Sequence, residues 1–120
     1  MRILPLTLML LVATSAHAAD AAKGSVVFNK CKACHTIAAG APNRVGPNLW
    51  GVLGRPIGSV PGFKYSAAYE SRKKETWTEK SLDAYLANPK AMMPGSRMAF
   101  PGLPNPGDRA DLIAWLKTQK

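Results

Sequence analysis

The segment Cys31-Lys32-Ala33-Cys34-His35 decides how this chain can fold, because it places two thiols and an imidazole within five residues. The pattern C-x-x-C-H is the attachment sequence of c-type haem. Thiols three positions apart lie on one helical turn, so they can form thioethers with the two vinyl groups along one haem edge. The adjacent histidine is then delivered beneath the iron. The motif therefore predicts one covalently bound haem c.

Two cysteines at this spacing have three other common uses: a structural disulfide, a thioredoxin-like redox pair, and half of a zinc site. A structural zinc ion needs four ligands, and the chain after residue 18 contains no second cysteine pair and no second histidine. A thioredoxin-like pair is typical of a βαβ context, which the sequence lacks. A simple disulfide stays open, although it leaves His35 without a role.

Residues 1–18 have the pattern of a secretory signal peptide that is removed. Arg2 precedes an apolar run over residues 3–13, and residues 16–18 match the A-x-A cleavage pattern. That run is much shorter than the roughly 20 apolar residues of a membrane span, so we expect cleavage rather than stable membrane insertion. Residues 19–120 are then expected to form a single domain in the periplasm.

The exported part of the chain predicts short helices separated by long loops, with no convincing strand. Helices are expected from Asp20 toward Cys31, over residues 66–72, from the cap Thr78 through Asn88, and from Asn105-Pro106 onward. A loop is expected from Pro89 to Pro104, because Pro89 restricts Asn88 and ends the third helix.

The composition is typical of a small, loop-rich domain whose core a bound cofactor would complete. The chain has 120 residues with 10 Gly and 10 Pro, and six of the glycines and four of the prolines fall within residues 40–62. A loop of this length normally serves a function, and wrapping around a cofactor would explain it. Two cysteines are too few for a disulfide scaffold, and a hydrophobic content of 47% argues against a wholly disordered chain.

The chain is strongly basic, with 16 Lys plus Arg against 7 Asp plus Glu and a formal net charge of +9. Such a charge suits nucleic acid, but export would separate the protein from it. Location is more informative than the total: Lys30 and Lys32 flank the first motif cysteine, while Lys90 and Arg97 bracket a methionine-containing loop. Positive charge placed in this way steers a protein toward acidic docking surfaces.

A second axial ligand is expected to be a methionine. A bis-histidine site needs a second histidine, and His/Met coordination raises the reduction potential of electron-carrier cytochromes. Met92, Met93 and Met98 remain after residue 18, and each could equally be core packing. The Pro and Gly residues of the segment 94–100 can shape a loop that presents one thioether inward, which favours Met98 without excluding the others.

With these features in place, the sequence resembles the class I cytochromes c, particularly the bacterial cytochrome c2 type and mitochondrial cytochrome c. The resemblance covers essentially all of residues 19–120. The matching segments are residues 31–35, Gly46-Pro47-Asn48-Leu49, Gly54-Arg55, residues 62–65, Trp77, residues 85–90, residues 94–100 and residues 111–116. It implies a small all-α cytochrome c fold, in which short helices and long loops wrap one covalently attached haem.

The resemblance also implies roles for individual residues. Met98 would be the axial ligand, and the Pro47 carbonyl would accept the ring N–H of His35. The residues implied around the haem propionates or the methionine sulfur are Arg55, Tyr65, Trp77, Tyr85 and Ser96. The exposed haem edge would be ringed by Lys30, Lys32, Arg44, Lys90 and Arg97. Tyr69 departs from the pattern, because similar chains often have there an asparagine that orders water near the methionine.

The predicted function is that of a soluble one-electron carrier, not an enzyme, whose iron cycles between ferric and ferrous states with both ligands bound. It is expected to be a monomer that shuttles electrons between respiratory or photosynthetic partners with acidic docking surfaces. One alternative is a dedicated subunit of a periplasmic dehydrogenase or oxidase. Another is a haem enzyme or ligand sensor with an open sixth position, against which Met98 and its loop argue.

Overall fold

The structure, a computed structural model, describes residues 18–120. Its helices are α1 (Ala21–Val27), α2 (Ala67–Glu70), α3 (Glu79–Ala87), α4 (Pro89–Met92) and α5 (Pro106–Leu116), with a 3-10 turn over Phe28–Lys30 after α1. The described part of the chain holds no strand, only an isolated antiparallel bridge between Pro56 and Thr76. The all-α prediction is confirmed.

The predicted signal peptide falls almost entirely on residues 1–17, which lie outside the described residues. Its cleavage, and the division at residue 18, therefore stay predictions. Within residues 18–120, no helix is both long enough and apolar enough to cross a membrane.

Polar side chains cap the helices where the sequence predicts. The Asp20 carboxylate accepts the backbone N–H groups of Ala22 and Lys23 at the start of α1. Thr78 and Ser81 form a reciprocal capping box on α3. These bonds satisfy N–H groups that the first helical turn leaves without a partner, so each helix begins at a defined residue.

The prediction of an uninterrupted loop from residue 89 is wrong for its first four residues. Pro89 ends α3 but also begins α4, since a proline at the first helical position gives up an N–H that would have no helical partner. The Asn88 side chain caps the new helix by accepting the N–H of Ala91 at 3.3 Å. This extra turn buries Met93 completely in the core.

The first and last helices pack directly against each other. Gly24 of α1 lies so close to α5 that a β-carbon there would come within 1.9 Å of the Asp111 carbonyl oxygen. The rings of Phe28 and Trp115 pack nearby, with centroids 4.7 Å apart. The carboxylate of buried Asp111 accepts the backbone N–H of Asp20 at 2.8 Å, which ties the start of α1 to the middle of α5.

The long segment between the 3-10 turn and α2 is held by side chains that bond to backbone. The Asn48 amide donates to the Ala38 and Ala41 carbonyls at 2.9 and 3.0 Å, and its oxygen accepts the N–H of Trp50 at 3.0 Å. Since a loop cannot pair its own backbone groups as a helix does, these contacts give the segment a defined shape. That shape forms one wall of a cavity.

Candidate functional site

A cavity of about 410 Å³ lies between the loop wall and the helices. All ten side chains that the sequence assigns to the site line it: Cys31, Cys34, His35, Pro47, Arg55, Tyr65, Trp77, Tyr85, Ser96 and Met98. Much of the remaining lining is apolar, from side chains that include Leu49, Val52, Leu82, Phe100 and Leu112. Cavities of this size and character hold cofactors and other small molecules.

The two motif cysteines lie at this cavity as free thiols. Burial, together with the neighbouring Cys34, raises the pKa of Cys31 to about 11, whereas thioredoxin-like motifs depend on a lowered thiol pKa. Among residues 18–120, no three His, Cys, Asp or Glu side chains lie close enough to hold a metal ion between them. The raised pKa of Cys31 does not favour thiol–disulfide exchange, and both thiols lie at the cavity wall within reach of a bound group.

The imidazole of His35 is held in one orientation by the loop wall. Its Nδ1 lies 2.8 Å from the Pro47 carbonyl oxygen. Because a carbonyl only accepts, Nδ1 carries the proton and Nε2 keeps a free lone pair. Burial lowers the pKa of His35, the bond to Pro47 opposes that shift, and the charge of Arg55 adds to it. The ring is therefore neutral near pH 7 and able to bind a metal through Nε2.

Gly46 allows the wall to lie directly against that ring. A β-carbon at this position would come within 2.4 Å of His35 Cε1. The Gly46 N–H donates to the Cys34 carbonyl at 2.8 Å, so the chain cannot easily move away from the histidine. The absence of a side chain at residue 46 is thus a steric condition for the position of the imidazole.

The thioether of Met98 lines the same cavity and accepts a hydrogen bond. The Tyr85 hydroxyl donates to Met98 Sδ at 3.5 Å, and the Met98 backbone N–H donates to Ser96 Oγ at 3.2 Å. Met92 and Met93 are absent from the lining. Met93 is fully buried elsewhere in the core, and Met92 is half-buried beside it. One methionine of the three thus faces the cavity that contains His35.

Arg55, Tyr65 and Trp77 surround another part of the cavity. The Arg55 guanidinium donates to the carbonyls of Asn48 and Trp50 at 2.9 and 3.1 Å, so its charge is held beside the loop wall. The Tyr65 hydroxyl accepts the Val60 N–H at 3.0 Å. Burial lowers the pKa of Arg55 and raises the pKa of Tyr65. Trp77 is buried and packs on Tyr85, with ring centroids 4.9 Å apart.

The lining residues that were not assigned to the site from the sequence include two with side-chain hydroxyl groups, Tyr69 and Ser66. Tyr69 reaches from α2 to the hydroxyls of Tyr85 and Ser96, at 2.6 and 2.7 Å. Ser66 presents a buried hydroxyl with no hydrogen-bond partner among the described residues. Local spacing in the sequence does not predict the hydrogen bonds of Tyr69, because they join residues 16 and 27 positions apart. It also does not predict that the Ser66 hydroxyl is buried, since burial depends on the folded backbone.

The basic residues expected around the site are all exposed. Arg44 donates to the Lys32 carbonyl at 3.1 Å and Arg97 to the Lys64 carbonyl at 2.6 Å, so both guanidinium groups have a fixed place. Arg97 itself also lines the cavity, as does Lys30. Lys32 lies within the motif and Lys90 shortly before the methionine loop, and both are exposed.

The lining fits the haem that the motif predicts. Two thiols and a neutral imidazole stand within five residues, a thioether lies on the same cavity, and the walls between them are apolar. A buried hydroxyl without a partner is rare in a folded protein, and a polar substituent of a bound group would supply one for Ser66. Cys31 and Cys34 would hold such a group covalently, and His35 and Met98 offer it nitrogen and sulfur ligands.

Comparisons with known proteins find chains that are similar in sequence and in fold. The model of the Cytochrome c family matches residues 21–120. Cytochrome c2 of Rhodomicrobium vannielii is 52% identical over 106 residues, which cover 88% of this chain and 84% of the relative. Cytochrome c-550 of Ancylobacter novellus is 50% identical over 99 residues, covering 81% and 92%. The structure of cytochrome cH from Methylobacterium extorquens superimposes with a TM-score of 0.76 at 42% identity, covering 82% of this chain and 98% of that one.

Proposed function

The chain belongs to the cytochrome c family and has its fold and its covalently attached haem c, and from this premise we propose that it is a one-electron carrier with His35 and Met98 as axial ligands. The family supports a haem electron carrier in general. The observation that carries the finer proposal is that one imidazole and one thioether line the same cavity, and each is oriented by a hydrogen bond.

The haem supplies the ferric/ferrous couple, and the protein supplies attachment, ligation and burial. Cys31 and Cys34 would attach the group through thioethers. The Pro47 carbonyl keeps His35 in the tautomer that binds metal through Nε2. Since neither ligand needs to move when an electron enters or leaves, the nuclear rearrangement is small. Thioether ligation and burial raise the potential.

The polar end of the cavity is proposed to receive the haem propionates. Arg55 is a cation held beside the cavity by two backbone carbonyls, and Tyr65 and Trp77 lie near it on the same lining. Burial disfavours the charged form of the Arg55 guanidinium. A negatively charged propionate beside it would offset this cost by supplying a counter-charge. Ser66, whose buried hydroxyl has no hydrogen-bond partner among the described residues, lines the same cavity.

The partners are proposed to be redox proteins with acidic docking surfaces. Lys30 and Lys32 flank the first motif cysteine, Lys90 and Arg97 bracket the methionine loop, and the resemblance adds Arg44 to them. All five cations are exposed. Positive charge there would raise the rate of association in a salt-dependent way. We expect the bimolecular rate of electron transfer with the physiological partner to fall steeply as ionic strength rises, and a flat dependence would contradict steering.

The protein is proposed to act in the periplasm as a monomeric carrier after removal of residues 1–18. The support is the signal-peptide pattern of that segment and the family match, which begins only at residue 21. N-terminal sequencing of the exported protein tests the cleavage site. A new terminus at Ala19 is expected, and a retained Met1 would contradict export with cleavage. Recovery as a stable complex at high salt would point instead to a subunit of a dehydrogenase or oxidase.

Carbon monoxide distinguishes a carrier from a haem protein with an open coordination position. If His35 and Met98 both bind the iron, the native ferrous protein at neutral pH should show no rapid stoichiometric change in its visible spectrum when the gas is added. Met98→Ala should bind it readily and serves as the positive control. Rapid stoichiometric binding by the unmodified protein would contradict the carrier and favour a ligand sensor or enzyme.

A further inference from the structure

Hydrogen bonds join four residues in a closed ring, with Met98 contributing both its backbone N–H and its sulfur. The backbone N–H of Met98 donates to Ser96 Oγ at 3.2 Å. Ser96 Oγ lies 2.7 Å from the Tyr69 hydroxyl, which lies 2.6 Å from the Tyr85 hydroxyl. Tyr85 in turn donates to Met98 Sδ at 3.5 Å. The ring therefore begins at the backbone of Met98 and returns to its sulfur.

The direction of the protons in this ring follows from counting donors. Each hydroxyl has one proton, and a thioether is a weak acceptor. If Tyr85 gave its proton to Tyr69, the sulfur would receive none and Ser96 Oγ would have to accept from both Met98 and Tyr69. In the opposite order Ser96 donates to Tyr69, Tyr69 to Tyr85, and Tyr85 to the sulfur. Only this second order gives every acceptor of the ring one proton.

Tyr69 is the member of the ring that sets this order at Tyr85. Its hydroxyl lies 2.6 Å from the Tyr85 hydroxyl, and this oxygen would otherwise compete with sulfur for the Tyr85 proton. When Tyr69 donates, that competition ends, and the donated bond also polarises the Tyr85 O–H toward the sulfur. The Tyr85 ring is packed between Trp77 at 4.9 Å and Tyr69 at 6.2 Å, so the hydroxyl has little freedom to turn elsewhere.

We propose that Tyr69 is a positioning residue for the sulfur ligand, which acts through Tyr85 to direct a hydrogen bond onto Met98 Sδ and so raises the reduction potential. The proposal rests on Met98 being the axial ligand. A hydrogen bond withdraws electron density from the thioether, which then stabilises ferric iron less. Hydrogen bonding around a ligand is one of the means by which a protein sets a haem potential. Loss of the Tyr69 hydroxyl should therefore lower the potential.

The test is a double-mutant cycle of Tyr69→Phe and Tyr85→Phe in the haem-loaded protein, read by voltammetry. Phenylalanine keeps the ring packing and removes only the hydroxyl. Tyr85→Phe should reduce the equilibrium constant for reduction by about fivefold, the size expected for one hydrogen bond. Tyr69→Phe should lower it by about twofold, because it weakens that bond without removing it. In the Tyr85→Phe background, Tyr69→Phe should have no further effect.

Ser71→Ala is the matched control, since its exposed hydroxyl follows α2 and donates only to the Ala68 carbonyl. It should leave the potential unchanged. Ser96→Ala removes the hydroxyl that donates to Tyr69. Because this disturbs the same ring at another member, it should also lower the potential. An unchanged potential in Tyr69→Phe would overturn the proposal. So would an equal shift in both backgrounds, because Tyr69 would then act independently of Tyr85.

The absorption band between sulfur and ferric iron separates failure of this proposal from failure of the ligand assignment. If the unmodified protein has the band and Tyr69→Phe changes neither the band nor the potential, only the positioning role is lost. If the unmodified protein lacks the band, both Met98 as ligand and Tyr69 as its positioning residue are wrong. Tyr69→Phe should retain the band but shift it in wavelength, which supports the ring.

Discussion

The paired terminal helices and the loop wall of the cavity are built by different means. In the first region α1 and α5 meet without space between them, so that a β-carbon at Gly24 would lie 1.9 Å from a backbone oxygen of α5. In the second, the segment between residues 36 and 66 has no regular helix, and side chains such as Asn48 and Arg55 hold its backbone.

The two regions differ in the surface against which their apolar side chains are buried: a neighbouring helix in the first, and the cavity in the second. Phe28 and Leu112 are almost wholly buried, at 1% exposed each, and their helices pack on one another. Both side chains also line the cavity, as do Leu49 and Val52. The segment that forms the wall has no helix of its own to pack against, so it depends on the bound haem for a larger part of its burial. A domain of this size buries a smaller fraction of its surface on folding than a larger domain does. The helix pair should therefore be the more self-sufficient of the two regions.

The largest effect is expected from loss of the thioether attachments. The double variant Cys31→Ala with Cys34→Ala should carry no covalent haem, and the wall should lose its fixed tertiary structure more completely than the helices. Haem staining after a denaturing gel measures attachment, and near-ultraviolet against far-ultraviolet circular dichroism compares the regions. Each single variant, with one thiol left, is the control and should retain some bound haem. Covalent haem in the double variant would contradict the assignment.

Gly24→Val tests the helix pair. The added side chain would meet the Asp111 carbonyl and the Trp115 side chain, so the free energy of unfolding should fall by about 3 kcal/mol or more. Denaturant unfolding measures it. Val26→Ala is the control on the same helix, since Val26 is 66% exposed, and should change stability by less than about 0.5 kcal/mol. Equal effects of the two variants would show that the helices are not closely packed in solution.

Gly46→Ala tests the wall where it touches the ligand. A methyl group 2.4 Å from His35 Cε1 must move the ring or the chain, so the visible spectrum and the potential should change along with a loss of about 1–3 kcal/mol of stability. Gly40→Ala is the matched control, because its β-carbon would meet nothing within 4 Å. Its cost should be about 1 kcal/mol from the left-handed backbone at φ +72°, with no spectral change.

Asn48→Ala should have a smaller effect than the changes at the motif cysteines, Gly24 and Gly46. It tests whether side-chain hydrogen bonds hold the loop wall. Three hydrogen bonds between its amide and the backbone would be lost, two of them partly buried, and we expect a loss of about 1–2 kcal/mol. Hydrogen exchange should show faster opening around residues 36–50 than in α5. Uniform destabilisation of both regions would contradict their separate construction.

The helix boundaries could be predicted because their signals are local. Thr78 and Asn105 are side chains that cap a helix through bonds to residues two or three positions away, so the sequence alone contains the evidence. The error at Pro89 has a local cause as well. Proline is compatible both with the end of one helix and with the first position of the next, and only the Asn88 cap distinguishes them.

The attachment motif of the site could be predicted from the sequence, but the hydrogen bonds between its side chains could not. The C-x-x-C-H motif predicts attachment and one ligand within five residues. The contacts of Tyr69 with Tyr85 and Ser96 depend on how α2, α3 and the methionine loop pack, which no local pattern specifies. The partnerless hydroxyl of Ser66 likewise becomes visible only when the surrounding backbone is in place.

The measurement that tests the central claim most directly is the visible absorption spectrum of ferric Met98→Ala beside that of the unmodified protein. If His35 and Met98 ligate the iron, the unmodified protein has the sulfur–iron charge-transfer band, and the variant loses it together with a fall in potential. Met92→Leu, which changes a methionine outside the cavity lining, should keep both. A band that persists in Met98→Ala would contradict the assignment of this methionine and, with it, the proposed electron carrier's ligand set.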